Sequence, residues 1–294
     1  MDSARRPVWV LVAFLATFCL GASCGGKAEP SASGHPAVAR ERIESIPQVD
    51  LTDLTAPEKR VFVDLTNDLL SPCGEPMSIA RCATDSAARC NQCVPGARYL
   101  ARLVTEGYER SEIEEHFTAR YGRDTKFELR VDGLSVRGSP MASVLIVEFS
   151  DFECPYCGAA APLLERTLRE FEGRVKLVFK NYPLDQHLRA MPAARAAVAA
   201  GKQGKFWEMH DLLFGNQTSL EDEDFERYAV QLGLDLDRFK ADVASPDTQA
   251  RIDADRAEGH RVHVEGTPTM FVNGRRFTEP PTQLSQYLRE ELER

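Results

Sequence analysis

No cysteine follows Cys157 in this chain of 294 residues. A zinc site built on the Cys154-x-x-Cys157 spacing would need a second ligand pair, and His260 and His263 come without a supporting pattern, so no metal is expected. Basic residues are outnumbered by acidic ones. The resulting net charge of -9 argues against a nucleic-acid partner. Long apolar runs are scarce as well: Val8 to Leu20, broken by Thr17, is too short to span a bilayer comfortably. Between Gly25 and about Ala56 there is no sustained apolar period, only Gly, Ala, Ser, Pro and mixed charge. That composition excludes a packed element and predicts a flexible tether over 25–56.

What is present is ordinary for a globular protein. Hydrophobic residues make up 43% and charged residues 28%, enough for a packed core, and the length suits one large or two smaller domains. The centre of the chain is Glu148-Phe149-Ser150-Asp151-Phe152-Glu153-Cys154-Pro155-Tyr156-Cys157. The aliphatic run Ser143–Val147 before it reads as a buried strand. Leu163, Leu164, Leu168 and Phe171 after it fall at helical spacing, with Pro155 placed for a first turn. Cys154 therefore sits at a helix N-terminus, where unpaired N–H groups and the helix dipole favour a thiolate. Cys157 lies on the same face, close enough to close a short disulfide.

Far downstream, Gly266-Thr267-Pro268-Thr269 precedes the apolar strand Thr269–Val272 and an Asn273-Gly274 hairpin turn. Together with the Cys-Pro-Tyr-Cys run and Phe206-Trp207-Glu208-Met209-His210, these motifs resemble the thioredoxin superfamily, and within it the bacterial DsbA/DsbG-type disulfide oxidoreductases. The resemblance covers about 127–294. It implies an α/β thioredoxin fold with a large helical insertion, a cis-proline facing the cysteines, and protein thiol or disulfide substrates, with no cofactor. It also implies that Thr267 and Pro268 bind the substrate strand, that Pro155 and Tyr156 set the redox poise, and that Glu148 is the buried carboxylate that accepts a proton from Cys157. A strand-end pairing of Glu148 with Lys180 is the compatible structural alternative. Cys154 is expected to be the attacking sulfur, nearer the solvent, and Cys157 the resolving one.

Around this core the chain divides further. Phe127, Leu129 and Val131 alternate with polar residues, an edge-strand pattern, and Val175–Lys180 is a second buried strand. The stretch from about His187 to Glu258 reads as helical throughout, with His210 packed on an apolar face. A helix over Thr282–Glu291 closes the domain. Upstream, residues 57–125 read as a separate all-α module with helices over Glu58–Leu70, Ala97–Thr105 and from Ser111, where Ser-Glu-Ile-Glu suggests a capping box. Leu-Leu-Ser-Pro-Cys at its start and Glu112-Ile113 to Tyr121-Gly122 at its end resemble the cytochrome c maturation thiol reductases (CcmH-type), which implies a redox pair after the first helix. Only Cys73 matches that pair, since Ser71 and Pro72 stand where its partner would fall.

Of eight cysteines, Cys19 lies in the apolar leader and Cys24 in Leu20-Gly21-Ala22-Ser23-Cys24-Gly25. That run resembles a bacterial lipoprotein box, with Gly21 where leucine is preferred; an ordinary cleaved signal peptide is the alternative. The resemblance implies a signal over 1–24, lipidation at Cys24 and an exported, periplasm-facing protein, on the outer rather than the inner membrane because Gly25 is not aspartate. Cys73, Cys82, Cys90 and Cys93 are expected to form two structural disulfides, with a redox relay as the other reading. As staples they would leave a redox domain able to work without residues 57–125. The function expected is a lipid-anchored thiol–disulfide oxidoreductase with a membrane redox partner. A reductase or isomerase of cytochrome c maturation and a non-catalytic, chaperone-like binding lipoprotein are the alternatives.

Overall fold

The computed structural model describes residues 42–293. The leader, Cys24 and residues 25–41 of the expected tether lie outside them. The remainder of that tether is not loose: Ile46, Val49 and Leu54 are buried. Asn67 fixes the segment by accepting from the Ile43 amide at 3.0 Å and donating to its carbonyl at 2.9 Å. With Ile43 and Leu51 partly buried beside them, these side chains hold an irregular segment on the core.

Four helices follow: α1 (Ala56–Asp68), α2 (Ile79–Thr84), α3 (Cys93–Thr105) and α4 (Arg110–Tyr121). The short α2, started by the Ser78 side chain accepting from the Arg81 amide, was not legible among its flanking cysteines and turn residues. The capping box of α4 is set by Glu109 and Glu112, not by Ser111, because the helix begins at Arg110. Disulfides join Cys73 to Cys90 and Cys82 to Cys93.

A five-stranded sheet comes next, ordered β1-β3-β2-β4-β5. Its strands are β1 (Val136–Gly138), β2 (Val144–Ser150), β3 (Val175–Asn181), β4 (Thr269–Val272) and β5 (Arg275–Phe277). β2 and β3 run parallel, joined by α5 (Pro155–Glu170), while β4 returns antiparallel beside β2. Asn273 and Gly274, both at positive φ, make the tight turn into β5. Phe127, Leu129 and Val131 do not form the expected edge strand. All three are partly buried and the residues between them exposed, as the pattern required, and they pack on Val147, Phe149 and Phe271, but only Lys126 bridges to Arg275. Alternation reports one buried face and not hydrogen-bond pairing.

The helical stretch is five separate helices: α6 (Ala190–Gly201), α7 (Phe206–Gly215), α8 (Asp222–Gln231), α9 (Leu236–Ala244) and α10 (Pro246–Arg261). His210 is packed among Phe152, Phe179 and Phe214, and burial holds its imidazole below its ordinary pKa. A 3₁₀ turn and α11 (Leu284–Leu292) end the chain's described part.

The upstream helices are not a separate module. Leu65, Leu100, Ile113 and Phe117 share one continuous core with Ile146, Leu177, Val272, Phe277 and Tyr287. Arg120 of α4 is wholly buried in the seam, its guanidinium 3.7 Å over the Tyr287 ring and 2.5 Å from the Glu290 carboxylate. Tyr99 of α3 donates to Glu279 at 2.9 Å. Helical periodicity shows that a face is buried, but not which neighbour buries it. The helices are a cap on the sheet's β5 edge.

Candidate active site

The site forms where β2 ends and α5 begins. Asp151, buried just past the strand, organises the turn: its carboxylate accepts from the Glu153 amide (2.8 Å), the Leu184 amide (2.9 Å) and His187 Nδ1 (2.8 Å). Its carbonyl accepts from the Cys154 amide at 3.2 Å. Glu153 accepts from the Arg189 amide at 2.5 Å, tying the turn to the start of α6. Gln217, from the loop after α7, donates to the carbonyls of Phe152 (2.9 Å) and Cys154 (2.8 Å). Neither role was found from sequence. Asp151 lies inside the motif but gives no sign of its partners, and Gln217 is distant in the chain.

Cys154 is the N-cap of α5, Pro155 its first residue and Cys157 its third helical residue. The two thiols are free and lie in the same first turn. Cys154 is only 3% exposed, so the expected solvent access of its sulfur is corrected. It is covered by the Thr267-Pro268 loop: the peptide bond is cis, and Cys154 Sγ donates to the Thr267 carbonyl at 3.4 Å. Tyr156 is 75% exposed and flags the site on the surface.

Beneath the pair, period-two alternation sends Ile146, Glu148 and Ser150 of β2 to the α5 face. Glu148 is 1% exposed and its Oε1 has no hydrogen-bond partner. Burial pushes its carboxyl up to about 7, against a smaller opposing effect of the Ser150 hydroxyl. The Lys180 pairing does not form. Glu148 pairs in register with Phe179, so Lys180 points to the opposite face. There it bonds Asp255 (3.1 Å) and Glu258 (2.7 Å). Burial raises the Cys157 thiol far above its usual range, and the neighbouring Glu148 carboxylate raises it further. The Ser150 and Thr267 hydroxyls oppose this, both near Cys157 but without a hydrogen bond of normal geometry. A buried acid that titrates near neutrality thus lies beside a thiol that holds its proton tightly. The pair can pass that proton between them.

The thioredoxin family model matches residues 131–289, more than half of the chain. The chain belongs to the thioredoxin family. This thioredoxin-family chain is 29% identical to a thioredoxin-like oxidoreductase from Silicibacter pomeroyi, covering 56% of this chain and 95% of that one, with a TM-score of 0.51. BdbD from Bacillus subtilis, 21% identical over 58% of this chain and 98% of its own, shares the fold with a TM-score of 0.53. Among curated proteins it is similar to the Na(+)/H(+) antiporter NhaA 3 of Salinispora tropica, 48% identical over 49% of this chain and 22% of that one. It is likewise 39% identical to the Na(+)/H(+) antiporter NhaA 1 of Mycolicibacterium gilvum, over 49% of this chain and 24% of that one. The chain spans about a quarter or less of these relatives. Among the described residues no helix is long and apolar enough to cross a membrane. The likeness to the cytochrome c maturation reductases has no counterpart in these matches, and α1 to α4 precede the matched region.

Proposed function

We propose that this chain is a thiol–disulfide oxidoreductase acting on protein cysteines, with Cys154 as the attacking and Cys157 as the resolving sulfur. In the reductive direction the Cys154 thiolate attacks one sulfur of a client disulfide, forming a mixed disulfide and releasing the other sulfur as a thiolate. Cys157 gives its proton to the Glu148 carboxylate and attacks Cys154 Sγ. The client leaves as a dithiol and a Cys154–Cys157 disulfide remains, two electrons having passed to the client. The reverse sequence oxidises a client. Thr267 offers its carbonyl, and Pro268 its face, to the client strand beside the sulfurs. The observation that carries this reading is the buried carboxyl of Glu148 beneath Cys157, whose Oε1 has no hydrogen-bond partner. A structural disulfide has no use for a buried acid, which costs stability unless paired or protonated.

The leader-like Val8–Leu20 run and the box at Cys24 support export and a lipid anchor, which Cys24→Ser should release from the membrane fraction. Cys73–Cys90 and Cys82–Cys93 serve as staples of the cap. The transport named for the antiporter relatives is not carried over, because the shared stretch is less than a quarter of those proteins.

The test is capture. Cys157→Ser should accumulate mixed disulfides with client proteins, resolved on non-reducing gels, and Cys154→Ser should accumulate none. Equal capture by both variants, or by neither, would sink the assignment.

A further inference from the structure

A depression of about 830 Å³ starts at Pro268 and runs between β4–β5 and helix α4 of the cap. Its floor includes Phe127, Met270 and Phe277, and its outer wall includes Glu115 and Thr118. Four carboxylates line it, from Glu114, Glu115, Glu265 and Glu279, with Arg276 as the single guanidinium and His263 the remaining titratable group. Two of the four are already engaged: Glu114 with Arg110 at 2.7 Å, and Glu279 with Tyr99 and Arg102, each at 2.9 Å. Arg276 donates to the His263 carbonyl at 2.9 Å. Glu115 and Glu265 are exposed and carry no ion pair among the described residues.

We infer that this groove receives an extended client segment carrying lysine or arginine beside its cysteine. The inference deepens the exchange reading, because the groove begins at the proline whose preceding carbonyl meets Cys154. A client whose sulfur reaches Cys154 past Thr267 must lay its neighbouring residues over Pro268 and into the groove. An apolar floor with two unpaired carboxylates on its rim suits a basic, partly apolar polypeptide and repels an acidic one. One wall comes from α4, outside the region that matches the thioredoxin family, so Glu115 adds the cap's share of this selectivity to that of Glu265, which lies within the matched region.

Binding can be read without chemistry. A fluorescein-labelled extended peptide with serine in place of its cysteine, flanked by Lys and Arg, is titrated with the full chain and followed by anisotropy. A matched peptide with Glu at those positions is the control. We expect the basic peptide to bind about tenfold more tightly, as two exposed ion pairs allow, with the difference shrinking at high salt. The doubly substituted E115Q/E265Q chain should bind both peptides alike, and E115K/E265K should reverse the order. Equal binding to the native chain, or a preference that survives E115Q/E265Q, overturns the inference. Because these peptides hold no thiol, failure of exchange at Cys154 shows separately in the capture experiment.

Discussion

Two Cys-x-x-Cys spacings occur in this chain, and they end in opposite chemistry. Cys90 and Cys93 do not bond each other; each closes a disulfide to a cysteine farther upstream. Cys154 and Cys157 remain a free pair. The spacing is the same, but its register on the following helix differs. Cys93 is the first residue of α3, leaving Cys90 in the turn before it. Cys154 is the N-cap of α5 and Cys157 the third residue inside, the two positions whose side chains converge across a first turn. The surroundings differ as well. The second pair has a carboxylate below and a backbone carbonyl opposite, whereas around the first the hydrogen bonds are those of helix caps and turns. Motif spacing therefore supplies a dithiol, and register plus neighbours decide whether it is a staple or a reagent.

The strongest way to break this comparison is to remove one region. Deleting 57–125 should not leave a working redox domain. It strips Arg120, Tyr99 and Phe117 from a core that includes Phe277, Tyr287 and Leu288. The truncated chain should be insoluble or bind a hydrophobic dye, with no cooperative melt. A soluble fragment with a sharp transition and intact exchange would restore two independent modules.

Next comes the contrast between the cysteines themselves. Cys154→Ser should reduce exchange with a model disulfide to background while hardly changing thermal stability. The double Cys73→Ala/Cys90→Ala variant should do the opposite. Losing a disulfide typically costs about 2–4 kcal/mol, or about 5–15 °C in a chain of this size. Should that variant keep its melting temperature but lose exchange, the cap cysteines act as a relay and not as staples.

Much of the exchange site was legible in the sequence because it is local. The aliphatic run, the prolines and the Cys-x-x-Cys sit within a strand–turn–helix unit whose geometry follows from neighbouring residues. Thr267 and Pro268 were readable only through resemblance, since nothing in the spacing places them opposite Cys154. Long-range partners were harder. Charge makes Lys180 a candidate partner for Glu148, yet one step of strand register puts it on the other face of the sheet. A helix-end position suggests solvent access at Cys154, but the residue is buried against the Thr267 carbonyl. The merged core had no local sign either. Amphipathic periods in α3 and α4 look the same whether a helix packs on its own module or on β5.

Glu148 sharpens the comparison through pH. Its folded-state pKa of about 7 lies above the ordinary 4.5, so the protonated acid is the form that folding favours. The stability this contributes is full below about pH 4.5 and is lost as pH rises through about 7, by about 3 kcal/mol in all. Resolution of the mixed disulfide should move the other way, speeding up through pH 7 as the carboxylate becomes able to take the Cys157 proton. Glu148→Gln should flatten both profiles, measured by denaturant melts and by the lifetime of a trapped mixed disulfide. Profiles unchanged in the variant would remove Glu148 from the mechanism. No counterpart is expected in the cap, where the cysteines are bridged.

The smallest effect concerns how the exchange turn is held. Gln217 donates to the carbonyls of Phe152 and Cys154, and its side chain lies over Gly158. A Cβ at Gly158 would stand 2.2 Å from Gln217 Oε1, so any larger residue there must push the amide away. Gln217→Ala should cost about 1–2 kcal/mol for two hydrogen bonds. Gly158→Ala gains up to about 1 kcal/mol of helix propensity, but it displaces Gln217 and so should be neutral or slightly destabilising in the native chain. Once Gln217 is already alanine, the same Gly158→Ala change has nothing left to displace and should stabilise. A double-mutant cycle read by denaturant melts should therefore show a coupling of about 1 kcal/mol. Additive effects would mean that Gln217 does not hold the turn, and that Asp151 and Glu153 fix the Cys154 backbone without it.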